Sequence, residues 1–278
     1  MNSEHLPKPR PYWHVDAKWI TGLLLTAVLS LTLLVYNLVQ VTAEKPAIDT
    51  VSAALALAFS PQGLDDEAGI AEFRQRLRAS PEGGIQPIPG LRIIIREQDI
   101  ANLTPREARL YLFRQLAEPL YQQGPQGLVA LADDPEMQES MVGGIGPLNL
   151  FTLATHQQLQ RVLVVLGIMC GVLLFPLILF SYRFGRLGSP GCVLVVASLP
   201  GVLLFTLIGS MLRPATTPPS EESGLGGMIG YLAANVLPPL GQIVSRNYVI
   251  ALMLGLGLMI LSVLGSLIWR LAHRRKSA

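Results

Sequence analysis

The chain has 278 residues, of which 50% are hydrophobic and 14% charged, and its net charge is +2. That balance, with no basic stripe on any expected helix, argues against a nucleic-acid partner. Apolar residues gather instead in four runs without a charged side chain, at 20–41, 162–182, 191–212 and 248–269.

At a rise of about 1.5 Å per residue, each run is long enough for a hydrocarbon core of about 30 Å. The expected fold is a mainly α membrane protein. It has a four-transmembrane-helix bundle and a small, mostly helical extracytoplasmic domain between spans 1 and 2.

In chain order, residues 1–18 form a cytoplasmic tail kept irregular by Pro7, Pro9 and Pro11, and 19–41 the first span. Val41-Thr42-Ala43 loosely resembles a leader cleavage site. The apolar stretch before it is longer than a signal core of about 7–15 residues, so it is read as an uncleaved anchor.

Residues 42–160 form the large hydrophilic segment. An Ala/Leu-rich helix is expected over 49–59. A second opens at Asp65, Asp66 and Glu67 and closes near Arg74, Arg76 and Arg78, a charge order that suits the helix dipole. A Pro/Gly connector over 81–90 leads to a strand at 91–96, centred on Ile93, Ile94 and Ile95. That strand needs a partner for its backbone, either the 85–88 stretch or another chain.

Thr104-Pro105-Arg106-Glu107 reads as a capping box. The helix it opens carries Ala108, Leu112, Leu116 and Leu120 on one face and ends near Gly124, with a kink expected at Pro119. Asp133, Asp134, Glu136 and Glu139 follow, and Gly143, Gly144, Gly146 and Pro147 make a hinge.

The second span covers 162–182, a tight cytoplasmic turn 183–190, and the third span 191–212. The outer loop 213–247 is expected to be irregular at first. It then forms an interfacial or re-entrant helix at 224–237, broken by Pro238 and Pro239. The fourth span covers 248–269 and a basic cytoplasmic tail 270–278.

Flanking charges orient the spans. Lys8, Arg10, Lys18, Arg183, Arg186, Arg270, Arg274, Arg275 and Lys276 fall on one side. Lys45, Arg161, Arg213 and Arg246 fall on the other. The positive-inside rule then places both termini in the cytoplasm. The excess of Arg over Lys suggests a bacterial genome, and so a bacterial plasma membrane or another energy-transducing membrane.

Chemistry finds little support. The acids at 133–139 lack the spacing of a calcium loop, and Pro135 makes them a helix start. His5, His14, His156 and His273 are scattered, with no zinc spacing, and His156 reads as a polar interfacial residue. Gly143-Gly144-Ile145-Gly146 lacks the Lys and Ser/Thr of a phosphate-binding loop. No nucleophile–His–acid set stands out. Catalytic, cofactor-binding and metal residues are therefore assigned to none. The charge-free spans argue against proton-coupled transport and intramembrane proteolysis. Cys170 and Cys192 both lie in apolar runs, where they read as small membrane residues without a disulfide.

Two sets of residues are expected to matter for packing and recognition. Small residues four apart, Gly167 and Gly171, Ala197 and Gly201, and Ala251 and Gly255, suit close helix packing. Leu91, Ile93, Ile95, Leu112, Leu116 and Leu120 are the candidates for binding a partner protein.

The topology resembles that of mechanotransmission-type permeases of ABC systems, with four spans, both ends inside and an external domain between the first two. The resemblance covers topology without a motif. It implies a permease-like subunit working with a cytoplasmic ATPase, although 183–190 is too short for a coupling helix. The residues themselves lead to a non-enzymatic accessory, assembly or scaffold protein. It is embedded in the lipid bilayer, and its external domain binds other membrane or extracytoplasmic proteins. A lipid-handling protein is the further alternative.

Overall fold

A computed structural model of the protein describes residues 13–59, 64–80, 84–88, 90–133, 138, 146–181, 184–211 and 224–274. Several expected features lie outside them: most of the 1–18 tail, Asp134, Glu136 and Glu139, the Gly143–Gly144 part of the hinge, Leu212 at the end of the third span, and the 213–223 start of the second loop.

Among the described residues, four helices are long and apolar enough to cross a membrane. They include Val15–Val41, Leu153–Leu179, Gly185–Ile208 and Ala233–Leu271. The full elements are α1 (Trp13–Val41), α7 (Leu153–Leu179), α8 (Gly185–Met211) and α9 (Gly224–Arg274). Leu23, Phe175 and Ile268 on these helices are 74%, 71% and 67% exposed. Bands of bare aliphatic and aromatic side chains of this extent require an apolar surrounding. The chain is a multi-pass membrane protein.

It divides into two compact units. The first comprises residues 1–36, 162–204 and 245–278, and the second 37–161 and 205–244. In the first, Leu25 of α1, Leu177 of α7 and Val193 of α8 form a buried cluster, flanked by Leu29, Cys170, Leu173 and Leu174. Thr32 Oγ1 lies 3.3 Å from Cys170 Sγ, and Ser30 Oγ donates to the Ala197 carbonyl at 3.4 Å. Both cysteines are free.

The small residues divide unequally. On α8 and α9 they make true close approaches. A Cβ added at Gly255 would sit 2.9 Å from the Gly191 carbonyl oxygen, and one at Gly191 would sit 2.8 Å from that of Gly255. Gly201 faces the ring of Tyr248, while Ala197 and Ala251 are buried. Gly167 and Gly171 are exposed, and an added Cβ meets no described atom within 4 Å at either. The expectation that this pair packs is therefore corrected. The face of α7 that meets other helices carries Cys170, Leu173, Leu174 and Leu177. Spacing alone marks where backbones can approach, not where a second helix lies.

The second unit is built on α2 (Glu44–Phe59) packed along α5 (Pro105–Gln123). Ala47, Ile48 and Val51 of α2 meet Ala108, Leu116, Ala117 and Leu120 of α5 in one core. The capping box forms as read: Thr104 Oγ1 accepts from the Glu107 amide at 3.3 Å, and Glu107 Oε2 accepts from the Thr104 amide at 2.9 Å. The Thr104 amide, and next the Thr104 hydroxyl donating to Oε2 at 2.8 Å, hold the Glu107 carboxyl below its ordinary range. Helix α5 runs through Pro119 without a break.

Helix α3 (Glu67–Ala79) is fastened by Arg74, whose Nη2 donates to the carbonyls of Ile100 (3.1 Å) and Leu103 (2.6 Å) at the end of α4 (Glu97–Ile100). The isoleucine segment forms less strand than expected. Strand β1 (Gly84–Ile85) pairs antiparallel with β2 (Ile95–Arg96), in the register Gly84↔Arg96 and Ile85↔Ile95. Leu91 bridges Ala132. Its backbone is thus paired within the chain. Helix α6 (Pro125–Val129) and a 3-10 turn (Gly146–Phe151) complete the unit.

The sequence reading broke the last helix at Pro238-Pro239, but α9 continues through both as one helix of 51 residues. Its early part contributes Val236, which packs with Leu110 and Phe113 against Ala56, Leu57 and Leu64. The apolar character that suggested an interfacial or re-entrant helix at 224–237 thus serves packing on protein, at least at Val236.

The glycine contacts yield a direct comparison. Gly255→Leu is expected to overpack the α8–α9 contact and cost about 1–3 kcal/mol. Gly167→Leu should leave stability unchanged. Thermal unfolding in mild detergent measures both, and equal losses would contradict the placement of these glycines.

Candidate functional site

The side chain of Asp66 accepts from the amides of Ala68 (3.1 Å) and Gly69 (3.3 Å), which makes it the N-cap of α3. The same carboxylate receives Nη2 of Arg109 from α5 at 2.6 Å, and Nη2 also reaches the Asp66 carbonyl at 2.9 Å. The two side chains are only 16% and 8% exposed. Gly69 makes room for the pair: a Cβ there would lie 2.6 Å from Asp66 Oδ2 and 3.0 Å from Arg109 Nη2.

Around this pair the second unit opens a groove of about 510 Å³. Its walls come from the end of α2 (Phe59), from α3 (Gly69, Ile70, Glu72, Phe73), from the 87–93 segment and from α5 (Leu112, Phe113). Phe59 stacks on Phe113 with ring centres 5.7 Å apart and planes 13° off parallel. Phe59 is nevertheless 67% exposed. An apolar groove of this size with a few convergent polar groups has the form of a binding site.

The hydrogen bond from Arg109 holds the Asp66 carboxyl below its ordinary value of 3.8. Partial desolvation opposes this, and the Gly69 and Ala68 amides reinforce it. Asp66 is therefore an anion at neutral pH, and its charge is matched by the Arg109 guanidinium.

The six residues expected to bind a partner divide between groove and interior. Ile93 and Leu112 line the groove. Leu91, Ile95, Leu116 and Leu120 are buried in the core and offer no surface, so they are withdrawn as contact residues. An unbroken run of aliphatic side chains on a domain helix served its own core here.

Sequence reading missed Arg109 and Asp66 as a pair. One signal was present: Arg109, Leu112, Phe113 and Leu116 stand at i, i+3, i+4 and i+7, so a cation shares the apolar face of α5.

His156 stands outside the residues that line the groove. Its Nδ1 lies 3.1 Å from Thr42 Oγ1 and its Nε2 2.9 Å from Gln160 Nε2, while the Tyr121 hydroxyl donates to the Thr42 carbonyl at 3.3 Å. Among the described residues no group of three His, Cys, Asp or Glu side chains could hold a metal ion. The chain matches no family model, no curated protein and no solved structure. Its functional reading therefore rests on the groove and the spans themselves.

The ion pair fixes a pH dependence. A carboxyl whose folded pKa is depressed adds stability above its unfolded value, and that stability is lost as pH falls through the folded value. Asp66→Asn keeps a capping side chain and removes the charge. The variant is expected to be less stable than the parent at pH 7. The gap should stay constant down to the ordinary value of 3.8 and close below it. Thermal melts from pH 7 to pH 3 check this, and a gap that widens with acid would contradict it.

Proposed function

We propose that the protein is a non-enzymatic accessory or assembly factor of a bacterial plasma membrane. Both its termini are cytoplasmic, and its 42–160 domain, outside the cytoplasm, binds a partner protein. The observation that carries this reading is the groove beside Phe59. A phenylalanine exposed to 67% outside the apolar spans, stacked at the mouth of a groove, is costly to leave bare in water. Aromatic anchors in pockets are the usual energetic centres of protein interfaces. The orientation rests on the excess of Lys and Arg at 1–18, 183–190 and 270–278.

Position-specific photocrosslinking in native membranes tests the partner. A photoreactive residue at position 59 should yield one dominant crosslinked protein, and the same residue at exposed Gln123 should not. Phe113→Ala should abolish the product at temperatures below the variant's own melt, which is lowered because Phe113 also packs against the Ala56, Leu57 and Leu64 cluster. Crosslinking that ignores position, or survives Phe113→Ala, would remove the groove from the interface. An ATPase as the captured protein would shift the reading to the permease-like subunit.

Labelling with a membrane-impermeant thiol reagent tests orientation, in a background with Cys170 and Cys192 replaced by alanine. Gln123→Cys should react from outside intact cells, and Arg270→Cys only after the membrane is opened. The reverse pattern would invert the topology.

A further inference from the structure

We infer that the groove recognises an apolar segment carrying a basic side chain, whose cationic head sits over the phenylalanine rings beside Glu72. This deepens the partner-binding reading and rests on it.

Among the described residues, the charged ones lining the groove are Asp66, Glu72 and Arg109. Asp66 and Arg109 are matched to each other at 2.6 Å and nearly buried, so together they present little net charge. Glu72 is left to set the sign. Its contact with Arg76 spans 2.6 Å, but the side chains are 63% and 70% exposed. A pair so solvated holds its partners weakly and can share Glu72 with an incoming cation.

The rings of Phe59, Phe73 and Phe113 border the same space. Aromatic faces attract cations and repel anions through their quadrupole. The aliphatic remainder, Ile70, Ile88, Ile93 and Leu112, suits the stem of a lysine or arginine and its apolar neighbours. An acidic ligand would meet Glu72. The lining cation, Arg109, is already engaged by the Asp66 carboxylate and carbonyl. The Glu72 carboxylate, the aromatic rings and the aliphatic walls thus select one ligand chemistry.

The full-length protein in nanodiscs of zwitterionic lipid is titrated with three fluorescent leucine-rich heptapeptides. They have blocked ends and differ at the central residue: lysine, glutamine or glutamate. Anisotropy gives the affinities, and the Phe113→Ala protein defines binding at the groove. The lysine peptide is expected to bind about tenfold more tightly than the glutamate peptide in the Phe113-dependent component. Glu72→Gln, at an exposed position that should not alter melting, is expected to reduce that preference to about threefold or less.

Phe113-dependent binding without preference for lysine would overturn the inference and leave a partner-binding groove. A preference undiminished by Glu72→Gln would also overturn it. No Phe113-dependent binding of any peptide would overturn both the inference and the groove's assignment to a partner.

Discussion

The carboxylate of Asp66 works in two directions. Toward its own chain it closes the first turn of α3, and toward α5 it receives the Arg109 guanidinium. Neither half would suffice. A cap alone would leave α3 free to choose its angle to α5. A nearly buried arginine alone would leave a charge in the protein without an opposite. Joined, they fix the head of α3 against the second turn of α5, and the groove is the space this leaves between them and the end of α2. Gly69 follows from the same demand, because a side chain there would stand where the pair meets.

What could be read from the sequence follows the range of the interaction involved. The Thr104–Glu107 capping box spans three residues and appears as read, because its determinants are adjacent. The spans were legible because a bilayer imposes length and apolarity without reference to any partner. The Asp66–Arg109 pair joins residues 43 positions apart, and nothing local distinguishes Arg109 from a surface arginine except its place among leucines. Leu91, Ile95, Leu116 and Leu120 lie in the interior for a related reason. A row of leucines on an amphipathic helix reports that the face is covered, not what covers it, and here the cover is α2.

Prolines and glycines misled in opposite senses. Pro238 and Pro239 looked like a stop, yet α9 passes through them while Val236 finds a packed seat two residues before. Tertiary contact overrides a local preference of this size when enough surface is buried. Gly167 and Gly171 looked like a seam and are bare, whereas Gly191, which no spacing rule picked out, meets Gly255 backbone to backbone. A close approach needs smallness on both helices at one level, a property of pairs that single-helix motifs omit.

The hydrogen bonds around His156 hold its ring at both nitrogens. Nδ1 meets the Thr42 hydroxyl, which is itself anchored on the Leu38 carbonyl 2.8 Å away. Nε2 lies 2.9 Å from the Gln160 amide nitrogen, one helical turn further along α7. Thr42 and Gln160 together thus set the plane of one imidazole, and the first turn of α7 is tied to the residue that follows α1.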